Sequence, residues 1–493
     1  MGLEIDREEF EEADYRRFGE RLETSLDVLA ALLERPGFGA GDATLGAELE
    51  VSLIDAAGRP LPKNGAVLAE SGDPRLTVEL DRFNLESNLR HGPLRGRPFE
   101  ALSGEMHDAF AEMSRAAALH GARIAMIGIL PTLTEADLTS EAMTDTLRYR
   151  ALSASLRRLR REPFRIDIHG DEGLELPCDD VTYEGAATSL QIHLRVAPGD
   201  FARIYNGIQC TTPMVLALGA NSPTFLGRRL WDETRVALFK QAVDPRPQSA
   251  RSELPARVSF GNGWIGSPLD LFRENVSQHP VLLPVLDSED PAVLAAGGGV
   301  PALRELRLHQ GTIWSWNRAI YDPEEGGHLR IELRALPSGP TIEDMVASAA
   351  FHIGLALDVA REFGDEHPAT AFEQSHADFY RAAREGLDAA LLPPGASPGE
   401  ARAPVRAYGE VLLARAQAGL DAAGVVREDS EPRLAAIERR LRGATTGARW
   451  QRRALTAAER KRPRDEALRA MFERYLALAA DAGPVAEWPE WDA

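Results

Sequence analysis

The feature that most constrains the fold is the alternation of residues 44–54, which read TLGAELEVSLI. Apolar side chains take every second position, and Glu48 and Glu50 lie together on the other face. A period of two is typical of a half-buried β-strand. The simpler interpretation is an antiparallel strand whose polar face meets water. The second interpretation is that the two carboxylates hold a divalent cation, and the remaining sequence has to distinguish the two.

A second acidic segment, residues 76–88, is rich in residues that favour strands. Within it Glu86 shares a face with Asn84 and Asn88, whereas Glu79 lies seven positions before Glu86. Strict alternation places Glu79 on the opposite face, unless a bulge or a short turn brings both glutamates to one side. Each glutamate taken singly is more simply a surface residue.

A third segment, residues 187–196, alternates cleanly, with Gln191, His193 and Arg195 on one face and aliphatic residues on the other. A single histidine on a strand is usually structural, but imidazole is also a common metal ligand. The row of glutamine, histidine and arginine on one face makes a binding role harder to dismiss.

A fourth segment, residues 328–334, places Arg330, Glu332 and Arg334 on one face. One interpretation is an ion-pair ladder on the surface, which would stabilise the fold little. The other is a metal-binding carboxylate set between two guanidinium groups that clamp phosphate.

The composition excludes several classes of protein. The chain has 493 residues, of which 44% are hydrophobic and 27% charged, and such values are typical of globular proteins. Its net charge of −20 argues against a nucleic-acid binder and against docking on anionic membranes. The two cysteines, Cys178 and Cys210, are too few for a disulfide framework and fit a reducing cytoplasm. The acidic N-terminus lacks a signal-peptide core, and no apolar run is long enough to span a membrane.

The periodicity changes along the chain in a way that predicts two regions. Residues 1–364 mix helices and strands, beginning with a helix over 4–35 and including strands over 123–130 and 257–265. Residues 365–493 are rich in Ala, Arg, Glu and Leu, which predicts a helical C-terminal region packed on the first. The expected fold class is therefore α+β.

Taken together, the polar faces offer about five carboxylates, and such a cluster repels itself unless cations compensate it. Oxygen-rich sites of this kind suit Mg²⁺ or Mn²⁺. Arginines beside them would clamp phosphate. Magnesium, carboxylates and arginine together are the equipment of phosphoryl transfer from ATP, so the pattern favours an enzyme with small-molecule substrates.

The order of these segments resembles that of the glutamate–cysteine ligase family, in its bacterial carboxylate–amine ligase branch, within the glutamine synthetase superfamily. The resemblance covers roughly residues 40–360 and offers no counterpart for the C-terminal region. Each motif is short, and the specificity comes from five of them in the right order. The matching segments are Gly46–Glu50, Glu79–Glu86, Thr188–His193, Ala220–Pro223 and Arg330–Arg334.

The resemblance implies a curved, mainly antiparallel sheet that forms a glutamine-synthetase-like active-site funnel flanked by helices. It also implies ATP as co-substrate, Mg²⁺ (or Mn²⁺) on the phosphates, and phosphorylation of a carboxylate, typically the γ-carboxylate of glutamate, before an amine attacks. Arg334 and Arg330 would stabilise the transferring phosphoryl group, Gln191 would lie beside the substrate or a metal, and Asn221 would contact the nucleotide. The implied metal ligands are Glu48, Glu50, Glu79, Glu86, His193 and Glu332.

Three alternatives stay open. Cysteine is the default amine, but the same scaffold would also join another carboxylate to another amine. A non-catalytic homologue would bind nucleotide without turnover. If the polar faces are merely solvated strands, then Glu48, His193 and Glu332 lie far apart. The oligomeric state is open as well, a homo-oligomer included.

Overall fold

A computed structural model of the chain describes residues 5–160, 162–178, 181–247, 254–363, 367–368, 370–396, 399–481 and 483–491. The helices are α1 (Glu12–Leu33), α2 (Asn64–Ser71), α3 (Pro98–Ala118), α4 (Leu147–Arg160), α5 (Thr182–Gly185), α6 (Pro198–Gly219), α7 (Thr234–Ala242), α8 (Pro268–Gln278), α9 (Pro291–Ala296), α10 (Arg304–Gln310), α11 (Ile342–Phe363), α12 (Phe372–Glu385), α13 (Gly409–Ala422), α14 (Arg427–Gly443), α15 (Gly447–Glu459) and α16 (Arg464–Asp481). The strands are β1 (Thr44–Ile54), β2 (Leu76–Val78), β3 (Asn84–Pro93), β4 (Arg123–Ala125), β5 (Phe164–His169), β6 (Gly173–Cys178), β7 (Leu190–Arg195), β8 (Thr224–Phe225), β9 (Arg228–Arg229), β10 (Asn317–Asp322), β11 (His328–Leu333), β12 (Ala390–Leu391) and β13 (Ala403–Pro404).

Strand β1 lies at the centre of the main sheet because both of its edges are paired. Strand β3 runs along one edge, while β7 pairs with the first half of the other edge and β4 with its end. The strand order is β10-β11-β7-β1-β3-β2, with β4 beside β1, and every pairing in this sheet is antiparallel. The prediction of a curved, mainly antiparallel sheet flanked by helices is confirmed.

The aliphatic face of β1 belongs to the hydrophobic core. Leu49, Val51 and Leu53 have no exposed surface, and burial of each such side chain contributes roughly 1.5–3 kcal/mol. Helix α3 packs against β1 and β3, and α6 packs against β10 and β11. The polar face is not in open water either, because Glu48 is only 8% and Glu86 only 4% exposed.

Helix α11 organises the second layer, since it packs against α6, α13 and α14. Its approach to α13 depends on glycine, because a Cβ added at Gly419 would overlap the carbonyl oxygen of Gly354. The helical C-terminal region is therefore in direct contact with the helices behind the sheet. The predicted boundary between residues 364 and 365 lies outside the described residues, and the division into two domains stays a prediction. No helix in the described part of the chain is both long and apolar enough to cross a bilayer.

The strand predicted over 257–265 is wrong. Within this segment Arg257 and Ser259 each accept a single backbone hydrogen bond, from Trp314 and Trp316 respectively, and the ladder goes no further. Gly261 then adopts a φ of 109°, which an extended strand does not allow. A run of strand-forming residues is therefore not enough when a glycine in the left-handed region interrupts it.

Two other predicted elements are shorter in the structure. Strand β4 ends at Ala125 instead of Leu130, because the chain beyond it leaves β1 and forms an isolated bridge between Ile129 and Ala187. Helix α1 begins at Glu12, well after the predicted start at residue 4, which itself lies outside the described residues.

Candidate active site

The register of the sheet places polar residues of neighbouring strands on one face. Residues directly opposite each other in an antiparallel pair share a face. Glu48 lies opposite Asn88 on β3 and Gln191 on β7, and Glu50 lies opposite Glu86. Since Glu48 and Glu86 are also buried, the interpretation of these two residues as surface acids is wrong.

The same rule extends this face across the remaining strands. His193 lies opposite both Gly46 on β1 and Glu332 on β11. Glu332 in turn lies opposite Arg318 on β10. Because the position beside His193 on β1 is a glycine, no side chain there separates the imidazole from Glu48.

Glu48, His193 and Glu332 form the first group of ligand-type side chains, the His193 triad. One ligand atom from each lies within 4.8 Å of the other two. Nε2 of His193 is 3.1 Å from Oε1 of Glu48 and 3.8 Å from Oε1 of Glu332. Within the described residues, neither ring nitrogen of this buried histidine makes a hydrogen bond of normal geometry. If the polar faces were merely solvated, these three residues would lie far apart, and the structure contradicts that expectation.

Glu50, Glu79 and Glu86 form the second group, the Glu86 triad. Thr77 on β2 lies opposite Glu86 on β3, and Glu79 follows two positions after Thr77, so it returns to the same face. The short turn between β2 and β3 thus brings Glu79 and Glu86 to one side. The three carboxylates line a single cavity.

Burial and mutual repulsion raise the pKa values of the Glu86 triad. Burial, and then the charge of Glu79, raise the pKa of Glu50 to about 7. Burial, and then the charges of Glu48 and Glu79, raise the pKa of Glu86 well above its usual value. Burial likewise raises the pKa of Glu79. Carboxylates in this situation are neutralised either by protons or by cations.

Glu332 differs from the Glu86 triad because two guanidinium groups hold it. Arg318 donates from both Nε and Nη2, the latter at 3.0 Å, and Arg334 donates from Nη1 at 3.0 Å. Burial alone would raise the pKa of Glu332, but Arg318 and Arg334 lower it to about 2. The His193 triad therefore contains a carboxylate that is ionised at neutral pH.

Gln191 links the Glu86 triad to Arg334. Its Nε2 donates to Oε1 of Glu50 at 2.8 Å, and its Oε1 accepts from Nη1 of Arg334 at 2.5 Å. The other oxygen of Glu50 accepts the backbone N–H of Ser189 at 2.6 Å. This chain of hydrogen bonds fixes the orientation of Arg334, which touches Glu332 at the same time.

Two cavities open onto the polar face, and Glu48 lines both. The smaller basin has a volume of about 190 Å³ and includes His193, Arg195 and Arg330 in its lining. The larger basin has a volume of about 470 Å³ and includes the Glu86 triad, Gln191, Arg318 and Arg334.

Arg330 and Arg334, which the sequence pairs on one face, therefore lie in different basins. In the smaller basin Arg330 donates from Nη1 to Oδ2 of Asp322 at 2.5 Å. The guanidinium of Arg334 thus lies in the basin of the Glu86 triad, and that of Arg330 lies in the basin of His193.

Several residues of the larger basin were not predicted. Arg318 lies opposite Glu332, and strand parity identifies it only once β10 is known to pair with β11. Arg148 and Tyr149 enter from α4, and Glu184 enters from α5. Burial, and then the charges of Glu79 and Glu50, raise the pKa of Glu184 to about 8. No periodicity in the sequence marks these three residues.

Asn221, predicted to contact the nucleotide, lies away from both basins. Its side chain is fully buried, and its Nδ2 donates to the carbonyl of Ser338 at 2.8 Å and to the hydroxyl of Tyr475 at 2.9 Å. Its Oδ1 accepts from Nε2 of Gln451 at 2.9 Å. This placement favours a structural role that joins the loop after α6 to the C-terminal helices.

The donor set fits a divalent cation of the Mg²⁺ or Mn²⁺ type. Carboxylate oxygens dominate both triads, and the single imidazole is a ligand that Mn²⁺ also accepts. A positive charge between these side chains would relieve the repulsion that raises the pKa values of Glu50 and Glu86, and Nε2 of His193 lies 3.1 Å from Oε1 of Glu48, where both atoms could bind the same ion. Which of the six predicted ligands bind metal stays a prediction.

Comparison with known proteins yields one family. Residues 44–474 match the model of glutamate-cysteine ligase family 2. The match extends past residue 360 and into the C-terminal helices, so the expectation that this region has no counterpart is wrong. No curated protein matches the chain significantly.

Solved structures resemble the chain at low sequence identity. A glutamate–cysteine ligase from Francisella tularensis, solved in complex with AMP, is 12% identical with a TM-score of 0.54, and the likeness covers 90% of each chain. A bifunctional glutathione synthetase from Pasteurella multocida is 13% identical with a TM-score of 0.47, over 92% of this chain and 54% of that one. The first likeness shows a shared fold.

Proposed function

The chain belongs to glutamate-cysteine ligase family 2, and from this premise we propose that it activates the γ-carboxylate of glutamate with ATP and couples it to an amine. Membership of the family makes the protein an ATP-dependent carbon–nitrogen ligase that joins a carboxylate to an amine. The identity of the acid and of the amine, the metal ions and the roles of individual residues belong to the proposal.

The observation that carries the proposal is the position of Arg334 between two acidic groups. Arg334 contacts Glu332 of the His193 triad directly and reaches Glu50 of the Glu86 triad through Gln191. Phosphoryl transfer needs positive charge around the transferring group, held rigidly in place. A guanidinium fixed between two carboxylate-rich groups supports that role for Arg334.

The two triads are suited to hold one Mg²⁺ each. Bound ions would neutralise the phosphates of ATP and the charge that develops on the transferring phosphoryl group. Hydrogen bonds orient two of these ligands, because Arg318 holds Glu332 through both of its oxygens and the Ser189 N–H holds Glu50.

The two basins suggest where the substrates bind. We assign the phosphates of ATP to the smaller basin, where Arg330 and Arg195, which are paired with Asp322 and Glu325, would exchange these carboxylates for phosphate oxygens. The larger basin contains Arg334 and Gln191, and we assign it to glutamate and the amine. The γ-phosphoryl group would then pass across Glu48, which lines both basins.

The reaction follows from these assignments. A γ-carboxylate oxygen of glutamate attacks the γ-phosphorus of ATP, and the bond from that phosphorus to the β,γ-bridging oxygen breaks and leaves ADP. The amine nitrogen then attacks the acyl carbon, the carbon–oxygen bond to phosphate breaks, and the protons lost by the amine pass to solvent. Cysteine is the default amine in this scheme, as in the name of the family.

Trapping the activated acid tests the proposed function. Hydroxylamine replaces the amine, so the protein incubated with glutamate, ATP and Mg²⁺ is expected to form glutamyl hydroxamate, and omission of any one component is expected to abolish it. Absence of hydroxamate in the complete mixture contradicts glutamate as the acid substrate.

Substitution of Arg334 tests the residue that the proposal places at the centre. Arg334→Lys keeps a charge but loses the planar guanidinium, so hydroxamate formation is expected to fall by about 10²–10³-fold. Arg439→Lys, at an exposed position of α14, is the matched control and is expected to change nothing. Equal rates for both variants would contradict the role of Arg334.

A further inference from the structure

The larger basin has a wall that the proposed phosphoryl transfer does not use. Apolar side chains of the larger basin make up this wall, and we call it the apolar wall. Trp314 and Leu147 are partly accessible in it, whereas Val243 and Leu152 are buried behind the surface. Its members are Val78, Leu147, Leu152, Val181, Val243 and Trp314.

The volume and lining of the larger basin bear on the kind of amine that it can bind. The larger basin has a volume of about 470 Å³, and the side chains of the apolar wall are part of its lining. Ligand-binding sites bury apolar ligand surface against such side chains, at about 25 cal/mol for each Å² removed from water. Small polar amines would leave this wall in contact with water.

Glu184 supplies a charged group at the same place. It lines the larger basin and belongs to neither triad. Its carboxylate has no hydrogen-bond or ion-pair partner among the described residues, and it lies in the turn that begins beside Val181 of the apolar wall. An unpartnered, partly buried carboxylate is stabilised by a cationic group of a ligand.

We propose that the amine substrate is a primary amine with a sizeable apolar substituent, which binds Glu184 as an ammonium ion with its substituent on the apolar wall and loses one proton to solvent before its nitrogen attacks the acyl carbon. This inference rests on the proposed function and names the class of its second substrate. Glu184 lines the same cavity as Glu50 and Glu79, so an ammonium held there lies in the basin that we assign to glutamate and the amine.

A panel of amines tests the substrate class on the unmodified protein. With glutamate, Mg²⁺ and ATP, ADP formation and product mass are measured with methylamine, cysteine, isoamylamine and 2-phenylethylamine. The kcat/KM of the two larger apolar amines is expected to exceed that of methylamine and of cysteine by at least about 10-fold, since each buried methylene contributes about 0.8 kcal/mol. A kcat/KM for cysteine or methylamine equal to or above that of both apolar amines overturns the proposal.

Substitution of Glu184 tests the ammonium site. Glu184→Gln is expected to raise the KM for isoamylamine by at least about 10-fold, because a charge-assisted hydrogen bond is lost. Hydroxylamine is uncharged at neutral pH, so its reaction and the KM for glutamate are expected to stay within about twofold of the unmodified protein. Glu135→Gln, at an exposed position, is the control.

The two readouts separate this inference from the function on which it rests. An equal loss with hydroxylamine and isoamylamine, or an unchanged KM for isoamylamine, overturns the assignment of Glu184. Leu147→Gln is expected to raise the KM for the apolar amines about 10-fold and to leave the reaction with hydroxylamine unchanged. An equal effect on the apolar amines and on hydroxylamine would contradict the apolar wall. Absence of hydroxamate with unmodified protein would instead contradict the proposed function.

Discussion

His193 shows how far single residues could be predicted. Strand alternation places it on the same face as Gln191, and the structure confirms that it lies on the polar face of the sheet. Alternation does not predict which residues of the neighbouring strands lie beside His193. The approach of Nε2 to Glu48 and Glu332 depends on the pairing of β7 with both β1 and β11, which are far apart in sequence.

Replacing His193 is expected to weaken one cation site without abolishing the other. His193→Asn removes the imidazole from the His193 triad and leaves the Glu86 triad intact. We expect the affinity for one Mn²⁺ to fall by at least about 10-fold, as measured by electron paramagnetic resonance titration. His107→Asn on the exposed face of α3 is the control, and an equal effect of the two substitutions would contradict a metal role for His193.

Arg318 marks the limit of prediction at the residue scale. Its alternation with Trp314 and Trp316 is visible in the sequence, but nothing in that pattern distinguishes a solvated arginine from one that holds a buried carboxylate. Only the register of β10 against β11 shows that it holds Glu332. Glu184, which lies in a short helix, could not be identified from periodicity at all.

At the scale of elements, the pairing of β1 with β3 contains an unfavourable contact. Glu50 lies directly opposite Glu86, and like charges at opposed positions destabilise an antiparallel pair. The folded protein instead retains protons, since burial and then Glu79 raise the pKa of Glu50 from 4.5 to about 7. A folded pKa above the unfolded value means that the folded state binds more protons, so its stability falls as pH rises through about 7.

Mg²⁺ is therefore expected to stabilise the protein more at higher pH. Near pH 6 Glu50, whose pKa burial raises to about 7, is largely protonated and its proton competes with the cation, whereas near pH 8 the cation replaces the missing proton. Thermal melts with and without saturating Mg²⁺ should show a larger increase in Tm at pH 8 than at pH 6. An increase that is equal at both pH values, or larger at pH 6, would contradict cation binding by these carboxylates.

The elements themselves were predicted unevenly, for a physical reason. Segments with strict alternation, such as β1, β7 and β11, lie where the sequence predicts them. The failures occur where tertiary contacts decide the backbone. Residues 257–265 contain strand-forming side chains but only single hydrogen bonds to the chain near Trp314, and β4 ends where the chain turns towards Ala187.

At the scale of the whole molecule, α14 ties the C-terminal helices to the helices behind the sheet. Arg440 of α14 is fully enclosed and donates to Oδ1 of Asp344 at 2.8 Å, to the hydroxyl of Ser348 at 3.0 Å and to the carbonyl of Leu218 at 2.9 Å. Asp344 and Ser348 belong to α11, and Leu218 belongs to α6. This connection agrees with a family match that continues to residue 474.

Breaking this connection is expected to destabilise the entire fold. Arg440→Ala leaves the buried carboxylate of Asp344 without its ionic partner, which costs about 3–5 kcal/mol in the free energy of unfolding. Arg439→Ala, one position earlier and paired with Glu487 at the surface, should cost less than about 1 kcal/mol. Urea unfolding measures both, and a loss confined to the C-terminal helices would show that they unfold independently.

The central claim is that the polar face of the sheet activates a carboxylate as an acyl phosphate. Glutamate labelled with ¹⁸O in its γ-carboxylate tests it most directly, with the phosphate released during amide formation examined by ³¹P NMR. If the carboxylate attacks ATP, each phosphate formed carries one ¹⁸O from glutamate. Phosphate that carries no label, with its new oxygen drawn from water, would contradict the claim.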